Sequence, residues 1–188
     1  MKLKFMLVPL AVLGFVVGSY ADCSKDEILK FLDKGYSKTE VDGICGKNES
    51  KKEELTWITP SDKICKANGG EIGKHGCKAE WLKAEDICHA SGGELPTIEE
   101  LKKLVADCGG INTTYDDKDW YSVTDKNIAN KSYQACYKEK GLSPNLYWSS
   151  STIKGYEYNA WVLFFYYGGV YGYNKGHNHY VSCVRDGQ

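Results

Sequence analysis

The chain has 188 residues, 24 Lys and Arg against 25 Asp and Glu, and a formal net charge of −1. A near-neutral chain of this length is one ordinary domain with a small appendage, and it lacks the basic footprint of a nucleic-acid binder. Its eight cysteines, read with the start of the chain, point to an oxidising compartment rather than the cytosol.

Residues 1–21 read as a signal peptide. Lys2 and Lys4 make a short positive start, and Phe5 to Val17 is an apolar run too short to span a bilayer. Ser19-Tyr20-Ala21 puts small residues where a signal peptidase reads, so cleavage is expected after Ala21. Asp22 stands before Cys23 where a lipoprotein signal needs a small residue, which argues against lipid attachment. No other stretch is apolar and long enough to cross a membrane, so the exported chain is expected in the periplasm, on the surface or secreted. All eight cysteines follow this segment and read as four disulfides, whose pairing spacing alone does not settle. No C-x-x-C spacing is present, which argues against structural zinc.

Residues 22–46 read as a helical hairpin. Ser24 with Glu27, and Ser37 with Glu40, fit capping boxes; Gly35 and Gly43 fit helix ends. The ends of such a hairpin are close, so Cys23–Cys45 is the economical bridge. Residues 47–56 are charged and read as a linker to a domain over 57–188.

That domain opens with an internal repeat: Ile64-Cys65-Lys66-Ala67-Asn68-Gly69-Gly70-Glu71 recurs as Ile87-Cys88-His89-Ala90-Ser91-Gly92-Gly93-Glu94. Each copy ends a helix with paired glycines. The first helix is expected to start at Thr59-Pro60 and the second to run from about Ala79 through Trp81, Leu82 and Ile87. Cys65 and Cys77 bracket the first turn and are expected to pair. Thr97 and Glu100 form another capping box, followed by the buried stripe Leu101, Leu104 and Val105. Residues 111–146 read as a long polar loop with a short helix around 132–137, stapled by Cys108 and Cys136.

From Tyr147 onward the pattern is strand. Val162 to Tyr167 is rich in β-formers, Gly168-Gly169 is a hairpin signal, and Tyr180 to Val184 reads as a final strand. Aromatic residues mixed with Gly, Asn and His point to a sheet with one buried face and one open face. Trp148, Trp161, Leu163 and Phe165 are the expected core. Tyr156, Tyr158, Asn159, Tyr167, Tyr171, Tyr173, Asn174, His177 and Asn178 are the expected ligand-binding set, because Tyr combines contact area with few rotamers and Asn and His add adaptable polar contacts.

The order of Trp81…Ala84…Cys88…Gly92-Gly93-Glu94-Leu95-Pro96-Thr97, Tyr147-Trp148-Ser149-Ser150, Ala160-Trp161 and Tyr180-Val181-Ser182-Cys183-Val184-Arg185 resembles the bacterial DUF1566 family, the domain type at the C-terminus of the Legionella collagen-like adhesin. The resemblance covers about residues 57–186, with Ser182 in place of the usual Arg. It implies an α+β fold, C-type-lectin-like and akin to the formylglycine-generating enzymes. In that fold a first-helix cysteine bonds to the last strand, which implies Cys88–Cys183, and a second pair staples the loop region, which again implies Cys108–Cys136. It also implies adhesion-type, non-catalytic binding of a glycan or protein at the cell envelope.

Other chemistry is weighed against the residues. Ser143-Pro144-Asn145 lacks the carboxylate of a lectin calcium tripeptide, and Asp116-Asp117-Lys118-Asp119 reads as a solvated turn, so no metal or cofactor is expected. His177 and His179 would share a strand face, but no third ligand is evident although His75 or His89 could approach; they read as solvent-facing loop histidines. A formylglycine-generator-type enzyme needs a reactive thiol, and every cysteine is expected to have a disulfide partner, so no enzyme is expected. The Tyr, Asn and His filler also resembles the variable region of lectin-fold proteins diversified by retroelements, an alternative reading of the same segment.

Overall fold

The computed structural model describes residues 23, 25–37, 40–41 and 55–186. They belong to two compact units, residues 1–52 and 53–188.

In the first unit, α1 (Lys25–Asp33) carries Asp26 and Glu27 in its first turn and Lys30 in its last, matching the helix dipole. Gly35 at φ +89° ends it. Tyr36 then folds back edge-on to Phe31, with ring centroids 5.7 Å apart. The Ser37–Glu40 capping box is present. Ser37 donates its N–H and its hydroxyl to the Glu40 carboxylate, each at 2.8 Å, and the Glu40 N–H donates to Ser37 Oγ at 3.4 Å. These bonds hold the Glu40 carboxyl below its usual range. The signal segment, Ser24, Gly43, Cys45 and most of the 47–56 segment lie outside the described residues.

The second unit begins with β1 (Thr56–Ile58), which pairs antiparallel with the final strand β9 (Cys183–Arg185), Thr56 opposite Arg185 and Ile58 opposite Cys183. α2 (Asp62–Ala67) starts at Ser61 rather than Thr59-Pro60, because the Ser61 hydroxyl accepts the Ile64 N–H at 3.3 Å. A hairpin follows, β2 (Glu71–Gly73) and β3 (Gly76–Ala79), turning at Gly76 with φ +114°. α3 (Trp81–Ala90) therefore starts later than expected. Ala79 is a buried strand residue whose carbonyl accepts the Trp148 indole N–H at 2.8 Å. α4 (Ile98–Asp107) has the expected Thr97–Glu100 capping box and buries Leu101, Leu104 and Val105.

The middle region departs furthest from expectation. After the short strand β4 (Thr113–Thr114) it holds two helices, α5 (Trp120–Ala129) and α6 (Lys131–Glu139), instead of one short helix in a long loop. The buried side of α5 is Trp120, Val123, Thr124 and Asn127, too polar to read as an apolar stripe. Then come β5 (Leu146–Ile153), β6 (Tyr156–Phe164), β7 (Gly169–Asn174) and β8 (His179–Tyr180). The expected single strand over 180–184 is broken: β8 lies in the larger sheet and β9 in the two-stranded one. Between them the Val181 N–H donates to Cys77 O at 2.9 Å.

The larger sheet has the order β2-β3-β8-β5-β6-β7-β4, with β5/β8 and β4/β7 parallel and the other pairs antiparallel. Tyr147 is opposite Leu163 and Leu163 opposite Val170; Trp148 is opposite Val162 and Val162 opposite Tyr171. Successive strand residues point to opposite faces, so these two rows build two cores. One joins Trp148, Ala160 and Val162 to Trp81, Ala84 and Ile87 of α3. The other joins Tyr147, Leu163, Phe165 and Val170 to α4 and to Tyr133 and Tyr137 of α6. The centre of the sheet is thus covered on both faces, which corrects the expectation of one open face. Trp148, Leu163 and Phe165 are fully buried, while Trp161 is half-buried.

Three bridges pin the unit: Cys65–Cys77, Cys88–Cys183 and Cys108–Cys136. No described helix is long and apolar enough to cross a membrane.

Candidate recognition surface

The tyrosines cluster where the cover of the sheet runs out. Tyr167 stands on the turn after β6, and that turn is held from beneath by three consecutive carbonyls. Phe165 O accepts the Tyr133 hydroxyl, Tyr166 O accepts Gln134 Nε2 at 2.7 Å, and Tyr167 O accepts Asn127 Nδ2 at 2.8 Å. Burial raises the Tyr133 hydroxyl well above the ordinary tyrosine value and pushes Tyr137 up to about 12, so both remain neutral donors.

On this support the rings form a continuous array. The Trp120 indole, at the start of α5, lies edge-on to Tyr115, Tyr167 and Tyr171 at centroid distances of 5.8, 5.6 and 5.7 Å. The Tyr167 and Tyr171 hydroxyls are 2.5 Å apart, and burial raises the Tyr171 hydroxyl. Tyr171 leads to Tyr173 at 6.5 Å, and Tyr173 to His179 at 4.6 Å. Sequence reasoning missed Tyr115 and Trp120 because both sit in the region read as a polar loop. Trp120 is buried and backs the array, whereas Tyr115 is 68% exposed at its outer end.

The structure divides the nine expected residues. Tyr171 and Tyr173 lie on the face of the Trp148 core, half-buried and packed against it. Asn159 and Asn174 are direct cross-strand partners, one position out of step with the Ala160–Tyr173 pair, so they point to the other face. Tyr156 and Tyr158 project from the start of β6, 67% and 83% exposed. His177 and Asn178 are exposed in the turn between β7 and β8. That turn is tied down. Asn174 Oδ1 accepts the Gly176 N–H at 3.0 Å, and Lys175 Nζ lies 4.0 Å from the centre of the Trp81 ring while donating to Thr152 Oγ1 at 2.8 Å. His179 is not a solvent-facing histidine: its ring is buried between Trp148 and Tyr173, each centroid 4.6 Å away. The nine therefore make a half-buried ring cluster with separate exposed tips, not one flat face.

The acidic 116–119 segment works locally. The Asp117 carboxylate accepts the Thr114 N–H at 2.6 Å and the Thr113 hydroxyl at 3.0 Å, and these bonds lower its pKa. His75 packs on Tyr180, and His89 pairs with Glu94 at 2.6 Å, so neither joins His177. Among the described residues no group of three or more His, Cys, Asp or Glu is placed to hold a metal ion.

The family model of the Lcl C-terminal domain matches residues 49–185, which hold every strand among the described residues, the three bridges described and the whole ring array. The chain belongs to the Lcl C-terminal domain family. No curated protein and no solved structure matches it. In this Lcl C-terminal domain the family-type motifs are mostly framework. Trp148 and Cys183 are core, and Ser149 accepts the Trp81 indole N–H through its carbonyl at 2.8 Å. Ser182, where the resemblance expected Arg, is buried with its hydroxyl 3.5 Å from Ile58 O. The ring array is filler between those motifs.

Proposed function

We propose that this Lcl C-terminal domain is an exported, non-catalytic recognition module of adhesin type with a C-type-lectin-like fold, binding a glycan or protein at the cell envelope through the aromatic array. The observation that carries the reading is the array itself. Tyr115, Tyr167, Tyr171 and Tyr173 present ring edges and hydroxyls beside a turn in which the carbonyls of residues 165–167 are held by side chains. Such a surface costs little entropy to order on binding. Support for the fold comes from the bridge between α3 and the last strand, together with the second pair across the middle region. Support for the non-catalytic reading is that Cys65, Cys77, Cys88, Cys108, Cys136 and Cys183 are all bonded, so none of them is a thiolate nucleophile. Disulfides and the signal-type start together favour export.

The test is an array of envelope glycans and surface proteins probed with the wild type, Tyr115→Ala and Tyr171→Phe. Tyr115→Ala removes an exposed ring and Tyr171→Phe removes one hydroxyl, so neither opens the core. Binding is expected to weaken at least tenfold in each. Unchanged binding in both, with unchanged thermal melting, would sink the array as the binding surface. Loss only in Tyr156→Ala and Tyr158→Ala would move the site to the exposed β5–β6 tip.

A further inference from the structure

Away from the ring array, a cavity of about 310 Å³ opens between α3, the segment joining α3 to α4, and β9. Its walls carry several ionisable groups, and most are already committed. Glu94 is paired with His89. Glu100 accepts the Thr97 N–H at 2.6 Å and its hydroxyl at 2.9 Å in the capping box. Four polar side chains remain without a hydrogen-bond or ion-pair partner among the described residues: Glu85 on α3, Ser150 on β5, Arg185 on β9 and Asp186 just after it. Apolar wall comes from Leu55, Leu95 and Val184.

Glu85 and Arg185 stand on different elements, so the cavity has a free carboxylate on one wall and a free guanidinium on another. The charge neighbouring Glu85 most strongly is Lys175, which is occupied by Trp81 and Thr152. Burial raises the Glu85 carboxyl, a cost that an ammonium would relieve. A guanidinium is matched bidentately by a carboxylate. Asp186 at the rim adds a second carboxylate and weights the site toward the ammonium end. The volume is at the small end of ligand pockets, the size of one amino acid rather than a polymer.

We propose that this cavity binds a small zwitterion of the amino-acid class, its ammonium on Glu85 and its carboxylate on Arg185, with Ser150 bonding either group. The site is separate from the ring array, and its failure leaves the recognition reading untouched. The test is ligand-observed NMR and calorimetry on the full exported chain with the twenty amino acids, a set of dipeptides, and the N-acetyl and methyl-ester form of each binder.

At least one zwitterion is expected to bind, and each neutralised form to bind at least tenfold more weakly. Glu85→Gln should abolish the preference for the free amine over the N-acetyl form. Arg185→Gln should abolish the preference for the free acid over the methyl ester. Both side chains are at least partly exposed, so unchanged melting temperatures confirm that the fold is intact. Binding of dipeptides but not free amino acids assigns the cavity to a peptide zwitterion and upholds the proposal. No binding by any member at millimolar concentration, or binding indifferent to both substitutions, overturns it.

Discussion

Asn127 does the work of a small core. It is 1% exposed, its side-chain Oδ1 accepts the Ile111 N–H at 2.9 Å, and its side-chain Nδ2 donates to Ile111 O and Tyr167 O at 2.6 and 2.8 Å. Removing it strands three part-buried backbone groups, each costing about 1 kcal/mol. Asn127→Ala is therefore expected to lose about 3 kcal/mol of stability in urea unfolding and to loosen the Tyr167 turn. His179 sets a pH dependence. Burial, then His177 and Lys78, push it from its ordinary 6.5 down to about 4, and its Nε2 has no partner. The folded state then binds fewer protons than the unfolded one between those values. The stability is present at neutral pH and is lost as pH falls through that window. Between pH 7.5 and 4.5 the wild type should lose about 2–3 kcal/mol more than His179→Phe, measured by urea midpoints. Neither residue was legible as a core residue in the sequence. Asn127 looks like loop polarity, and His179 differs from exposed His177 only through the rings that enclose it.

At the scale of elements, local chemistry was readable and partner choice was not. The Thr97–Glu100 and Ser37–Glu40 boxes lie where the spacing placed them, because both partners sit within one turn. The paired glycines were also legible, though for two different reasons. Gly92 adopts φ +79° to end α3, whereas a Cβ on Gly93 would lie 2.6 Å from Val184 O in β9. The hairpin β2–β3 escaped the sequence reading because its strands are short and its pairing with β8 is made by residues a hundred positions away. The bridges close loops of very different length, separated by 95, 28 and 12 residues. Chain entropy then ranks them at about 4.7, 3.6 and 2.8 kcal/mol. Paired Cys→Ser variants should lose stability in the order Cys88/Cys183, Cys108/Cys136, Cys65/Cys77. The reverse order in urea unfolding would show that native packing outweighs loop closure.

For the whole second unit, the strand-rich last third was legible from β-forming runs and the Cys65–Cys77 and Cys108–Cys136 bridges from position in the chain, whereas the mixed α+β class and the Cys88–Cys183 bridge were legible only through the family resemblance. The double-sided core was not legible. A run such as Trp161-Val162-Leu163-Phe164-Phe165 reads as one buried strand whether one or both of its faces are covered. Only α4 and α6 packing on the second face decides it.

The pairing of β1 with β9 also has a mechanical side. Thr56 and Arg185 are opposite one another at the ends of this unit, so tension applied through its two termini would unzip the pair from that end, bond by bond. Two positions in, Ile58 faces Cys183, and Cys183 is covalently fastened to α3. On the β9 side tearing stops there while the bridge is oxidised, because the load passes through the bridge into α3 rather than on to β8. Under reducing conditions the same pull would run on through Val181 into β8, which pairs with β3 and β5, so the redox state of one bond sets how much force that side of the unit withstands.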